Sequence, residues 1–337
     1  ILDHKYWPST LHTNDKKLFD YINQYSEWID YKLYCGAQIN GITTPTPFNF
    51  KTIDQFYDLD DANILKKHMS VEFPQQETVT VVEALNSKDQ YIKDYAQFLF
   101  DNDYSLYTAK QWGVKPEEID SSVLKRVPLR LSYTEGYFDD IYQVMPKISY
   151  KYFFENLLNH KNIQVILNED ALQYISVDEQ MHIVKYRGRM IDFPVVYTGP
   201  LDELFKHKYG KLPYRSLKFE WEHKDIDSFQ EMAVVAYPQA KGYTRITEYK
   251  KLPFQNVKGT TYAKEFSIPY NGDHQAEPYY PVLTKESIMQ YNKYLEDSKR
   301  IRNLVCCGRL ADFKYYNMDQ ALTRALNVTE MISSLRI

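Results

Sequence analysis

Glycine is scarce in this sequence, at 11 of 337 residues, about half its usual share of roughly 7%. No two glycines are separated by a single residue, so the G-x-G-x-x-G dinucleotide-binding turn is missing. Cysteine is scarcer still. Cys35, Cys306 and Cys307 are the whole set, and an adjacent pair plus one distant residue fits neither a disulfide framework nor a zinc pattern. Reduced, buried thiols and no metal site are expected. No apolar run approaches the roughly 18 residues of a membrane span, and no charged-then-apolar leader is visible, so a cytoplasmic protein with no membrane span is expected. Positive charge is not in excess either. A net charge of -4, a pI near 6.1 and no basic stripe argue against nucleic acid as a partner. Any anion site must therefore be a local cluster of Arg and Tyr.

Tyrosine, by contrast, is abundant at 31, and 44% of residues are apolar, ample for a sizeable core in two or three domains or in one large fold with insertions. The chain begins at Ile1, without methionine, and reads as a processed product or a piece of something longer. From His12, T-N-D-K-K-L-F-D-Y-I places a capping residue before Leu18, Tyr21, Ile22 and Tyr25, predicting a short helix. Residues 52–112 have mostly helical periodicity, and 150–158 read as another helix. Strands are expected at 163–167 (IQVIL), 182–188 and 195–200. Short alternating stretches from 216 to 285 predict an antiparallel sheet. LVCCG at 304–308 reads as a strand, followed by a closing helix over 318–335 with Met318, Ala321, Leu322, Ala325, Met331, Ile332 and Leu335 on its apolar face.

Residues 107–113 read YTAKQWG. Tyr107 and Trp112 can stack on a planar base, and Arg126, thirteen residues past the glycine, can hold a phosphate through its fork of donors. The same residues also fit a helix end whose aromatics are core. The chemistry recurs at Tyr137 in E-G-Y-F-D-D, Arg245 in G-Y-T-R-I-T-E, Tyr280 in E-P-Y-Y-P-V and Tyr315 in G-R-L-A-D-F-K-Y-Y-N-M. The Tyr279–Tyr280 and Tyr315–Tyr316 doublets leave a one-residue ambiguity in each case.

In this order and spacing, with Y-T-G-P at 197–200 and Y-R-S-L-K-F at 214–219, the motifs resemble UDP-galactopyranose mutase from His4 to the final helix. The resemblance implies an isomerase of cell-surface polysaccharide biosynthesis that interconverts UDP-galactopyranose and UDP-galactofuranose, using reduced FAD through a flavin N5 adduct. It also implies an α/β fold of the FAD/NAD-binding, Rossmann-like flavoprotein type, truncated at the N-terminus, with a helical insert and an antiparallel substrate-binding sheet. The FAD domain would comprise 1–24, 146–200 and 299–337, the helical domain 50–125, and the sheet domain 25–49, 126–145 and 201–298. By the same resemblance Tyr107, Thr108 and Trp112 border the uridine end of UDP-galactose or a related UDP-sugar. Arg126 and Arg245 clamp the diphosphate, Tyr137, Tyr280 and Tyr315 bond the phosphates, and Gly308, Arg309, Asn317 and Met318 hold the cofactor. A homodimer through the helical insert is a further expectation.

Departures from the family cluster on the flavin side. Where members have H-K-Y-G-x-H-x-F-H-T, this chain has H-K-Y-W-P-S-T-L-H-T, with Trp7 and Ser9 in place of a glycine and a histidine. Val144, Ile148 and Ser149 stand at glycine positions, Ile29 at an asparagine, Cys307 at a glycine and Asn317 at an aspartate. Asn317 with Gln320 also makes a good helix start. Two readings stay open: a mutase, and a degenerate, flavin-free UDP-sugar binder in which Trp7 fills the flavin volume.

Overall fold

Strand alternation and helix caps account for most of the architecture. The computed structural model describes residues 10–113, 115, 127–272 and 276–334. Its largest element is a seven-stranded sheet in the order Tyr280–Pro281, Tyr214–Lys224, Thr260–Pro269, Arg245–Glu248, Val234–Ala236, Cys35–Ile39, Ile42–Thr46. Every contact in it is antiparallel except that of Val234–Ala236 with Cys35–Ile39, which is parallel. The hairpin over 35–46 turns at Asn40 and Gly41, both with positive φ (50° and 82°), as the sequence I-N-G-I requires of a two-residue turn.

On this hairpin sit the helices Phe50–Phe56, Leu59–Glu72, Val81–Leu85, Gln90–Leu99 and Ser105–Trp112. Their starts are set by side chains: Asn49, Asp58, Thr80 and Asp89 each accept a backbone N–H of the first turn, and Thr80 with Glu83 completes a capping box. Ile53, Leu65, Met69, Ile92, Tyr95 and Leu99 share one core with Ala37, Ile39 and Phe48 of the sheet region. A π-helical turn, Phe100–Tyr104, joins the last two helices.

The remainder holds the parallel pair Val195–Tyr197 and Leu304–Cys306 and the sheet Leu11–Thr13, Tyr142–Pro146, Trp28–Asp30. The closing helix, Met318–Ser334, also lies here. Three sequence expectations need correction. Residues 163–167 form no strand: they pair with no other strand among the described residues, and Ile163, Val165, Ile166 and Leu167 are exposed. An apolar run becomes a strand only beside a neighbour that takes its backbone bonds. On the closing helix Met331 is 49% exposed, whereas Val328, absent from the expected face, is buried with Val305 and Cys307. A helical turn of 100° per residue centres the stripe on Ala325, Val328 and Ile332 and leaves Met331 at its rim. Cys35 and Cys307 are buried free thiols, but Cys306 is only half-buried. Burial pushes the Cys35 thiol up to about 12 and the Cys306 thiol up to about 11, so neither is a ready nucleophile. No helix among the described residues is long and apolar enough to cross a membrane.

Candidate functional site

The helix Ser105–Trp112 ends against the large sheet, and a cavity of about 200 Å³ opens between them. Tyr107, Thr108, Trp112, Tyr137, Arg245 and Tyr315 lie on its wall, so six of the residues singled out from sequence converge there. The helix end is fixed by Arg215, whose Nε donates to the Gln111 carbonyl (3.2 Å) and whose Nη2 donates to the Lys110 carbonyl (3.4 Å) and to Ser267 O (2.8 Å). A guanidinium at a helix C-terminus also complements the dipole. Gly113 closes this helix with φ +69°, and a Cβ there would lie 2.6 Å from Arg215 Nη1. Gly113→Ala is therefore expected to cost about 1–2 kcal/mol in urea unfolding. An unchanged midpoint would contradict this account of the helix end.

Arg245 reaches the cavity from the strand Arg245–Glu248. Its Nε and Nη2 donate to the two oxygens of Glu265 (2.9 and 2.6 Å), and Nη1 donates to the Tyr107 hydroxyl (3.3 Å). Glu265 faces Arg245 in register on the adjacent strand. Burial works against the guanidinium charge, but the Glu265 carboxylate outweighs it and holds Arg245 above its ordinary value. Burial likewise pushes the Tyr107 and Tyr280 phenols well above their usual range, so both keep their protons at any working pH.

Trp112, Tyr280 and Tyr315 form a three-ring cluster with centroids 5.2 to 5.9 Å apart. In this cluster Tyr280 is not on the cavity wall. It packs behind Trp112, 2% exposed, and its hydroxyl accepts from the Gln111 amide. Of the Tyr315–Tyr316 doublet, Tyr315 lines this cavity, whereas Tyr316 donates to Asp312 and does not line it. Arg126 lies outside the described residues.

A second cavity of about 780 Å³ adjoins the first and shares Tyr137, Phe138 and Tyr315 with it. Its wall carries His12, Asp140, Asn317, Asp319 and Gln320. His12 stacks on Phe138 with centroids 3.6 Å apart, and its Nδ1 is 2.7 Å from Asp140. Asp319 Oδ1 is buried without a hydrogen-bond partner among the described residues, and burial pushes that carboxyl up. Asn317 accepts its expected role, its N–H bonding Gln320 at 2.9 Å at the start of the closing helix. Gly308, Arg309 and Met318 do not line this cavity. Gly308 donates to Asp312 (3.1 Å), Arg309 donates to Tyr279 O and Tyr316 O and lies over the Tyr315 ring, and Met318 packs on the core around Leu11 and Val144.

The sequence profile described as UDP-galactopyranose mutase matches residues 103–315, a span that contains the cavity wall except Leu33, Cys35, Gly36 and Thr46. The UDP-galactopyranose mutase of Mycoplasma pneumoniae is 31% identical over 338 residues, covering 98% of this chain and 84% of that protein. The chain belongs to the UDP-galactopyranose mutase family. The dTDP-fucopyranose mutase of Escherichia coli is 30% identical over 97% of this chain and 84% of its own length. The fold is also that of a crystal structure of reduced UDP-galactopyranose mutase, with a TM-score of 0.69 at 13% identity over 96% of this chain and 82% of the other.

Of the substitutions that set this chain apart from the family, those at Ile29, Val144, Ile148, Ser149 and Cys307 do not line the second cavity, whereas Asn317 does. Val144 points into the core with Leu11, Ile22 and Phe153, Cys307 packs on Val305 and Val328, and Ser149 caps the helix Tyr150–Leu158. Ile29 and Ile148 are partly exposed and line neither cavity. Trp7 and Ser9 lie outside the described residues. The room and the orphaned Asp319 oxygen fit the polar edge of a flavin ring. Missed from the sequence were Asp103, Gln111, Glu265, His12, Asp140 and Asp319. Of these, only Glu265 had a sequence signal, a lone acid in an alternating strand opposite an arginine-bearing one.

Proposed function

We propose that the protein is an isomerase, a UDP-galactopyranose mutase that interconverts UDP-galactopyranose and UDP-galactofuranose, or a closely related UDP-sugar pair, with reduced FAD. The observation that carries this is the pair of adjoining cavities that share Tyr137, Phe138 and Tyr315. One is aromatic, with a buried guanidinium; the other is larger and polar-edged. In this reading Tyr107, Thr108 and Trp112 enclose the nucleoside. Arg245, with Arg126, holds the diphosphate, and Tyr107, Tyr137 and Tyr315 donate O–H bonds to it. Tyr280, bonded by the Gln111 amide, packs its ring against Trp112.

Asn317, Asp319 and His12 would hold the flavin ring in the second cavity, with Gly308, Arg309 and Met318 shaping the turn and helix behind it. The chemistry supplied by reduced FAD, when bound, is a nucleophilic nitrogen for the anomeric carbon. What the protein contributes is retention of the leaving group. A diphosphate held by fixed cations through departure and return is stabilised as its charge develops and stays close for recapture. A cytoplasmic location and a homodimer through the helical segment, where Leu59 and Val71 are exposed apolar residues, are parts of the same proposal.

UDP at a hundred times its Kd is expected to stabilise the chain by about 2.7 kcal/mol, read as a raised urea midpoint. The chain incubated with FAD and freed of excess cofactor is expected to retain a visible flavin band. No shift with UDP would sink the nucleotide reading, and no band would leave a flavin-free binder.

A further inference from the structure

Two acceptor groups on the wall of the first cavity have no protein partner. Asp103 lines it from the π-helical turn Phe100–Tyr104, four residues before Tyr107 and so on the same face of the helix that follows. Its carboxyl makes no hydrogen bond among the described residues, although its neighbour Asp101 accepts from Gln97 at the surface. Gln111 lines the same wall, is 5% exposed, and leaves Oε1 buried without a partner while its amide nitrogen is spent on Tyr280. Buried acceptors without donors are costly and rare, and π turns concentrate at functional sites because they re-aim one side chain. The buried Gln111 Oε1 and the half-buried Asp103 carboxyl, both on the cavity wall with Tyr107 and Trp112, call for a ligand that brings N–H or O–H donors to a stacked ring.

Resting on the mutase reading, we propose that Asp103 reads the nucleobase, pairing with the imide edge of a uracil or thymine while Gln111 Oε1 takes a further donor of the nucleoside. An imide edge presents one N–H between two carbonyls. A carboxyl in its acid form answers this edge reciprocally, accepting from N3–H and donating its own proton to a carbonyl. Burial pushes the Asp103 carboxyl up to about 7, with Lys110 pulling the other way, so the acid form is accessible near neutrality. A diphosphate bound near Arg245 favours the same uncharged form. The residue therefore selects the base, whereas Arg245 binds the part of the ligand common to all nucleoside diphosphates.

The test is calorimetric titration of the full chain with UDP and with N3-methyl-UDP, which lacks the N–H donor. Wild type is expected to prefer UDP by about tenfold, the worth of one buried hydrogen bond. Asp103→Asn, which keeps one acceptor and one donor, retains that preference. Asp103→Leu, or Asp103→Ala should leucine disturb the turn, brings the two ligands within about twofold by weakening UDP. A leucine or alanine variant that still discriminates as wild type does overturns the role of Asp103 alone. A wild-type chain that binds neither ligand overturns this inference together with the nucleotide reading beneath it.

Discussion

Arg245→Lys lowers kcat/KM for the sugar nucleotide by about a hundredfold, the scale of losing one preorganised charge stabiliser at a leaving group. Arg245 occupies both oxygens of Glu265 with Nε and Nη2 and spans to the Tyr107 hydroxyl with Nη1. The planar fork performs several tasks at once: it is anchored on one edge and presents charge on the other. A lysine ammonium is a point charge that can satisfy Glu265 or a phosphate but cannot bridge them in fixed geometry. The loss should fall on kcat as well as KM, because the cation acts most when the diphosphate separates. Initial rates over a substrate series, measured by chromatography of the sugar nucleotides, decide this. A lysine variant within threefold of wild type would mean that Arg245 is only a structural partner of Glu265.

Glu265→Ala costs about 3–5 kcal/mol of stability, the range for removing one member of a buried ion pair. Glu265 is 2% and Arg245 12% exposed in their side chains, so the arginine left behind keeps its charge largely removed from solvent. The double variant Arg245→Met, Glu265→Leu should recover most of that stability, since an apolar pair of similar volume avoids the desolvation of both charges. It should not recover activity. Urea unfolding of the two single variants and the double variant separates the two effects. An alanine variant as stable as wild type would show that the pair is solvated and that Arg245 is not held rigid.

How much of this was readable in the sequence differs by residue. Tyr107, Trp112, Arg245 and Tyr315 sit in short motifs whose aromatic and cationic residues come as a set, and they meet on one cavity wall. Asn317 and Gln320 form the helix start that their spacing announces. Glu265 was hidden because its significance is a matter of register: only the pairing of Arg245 with Glu265 across two strands makes it the anchor of the guanidinium. Asp103 was hidden because a helical sequence does not show where a π turn will insert an extra residue and rotate one side chain into a cavity. Tyr280 belonged to the right cluster, but whether a ring forms the wall or stands behind it depends on packing that no motif encodes. At 163–167 periodicity was no guide, since a strand also needs a neighbour. The closing helix was placed correctly over Met318–Ser334, with Met331 exchanged for Val328 as a core member, while Leu335 lies outside the described residues.

The most direct measurement is conversion itself. The purified 337-residue chain, supplied with FAD and a chemical reductant under anaerobic conditions, is given UDP-galactofuranose and sampled by anion-exchange chromatography. UDP-galactopyranose accumulating until the two forms reach equilibrium, and not accumulating without the reductant, is the predicted result. Retention of UDP and flavin by the chain with no interconversion under reduction would contradict the account and identify a sugar-nucleotide binder in its place.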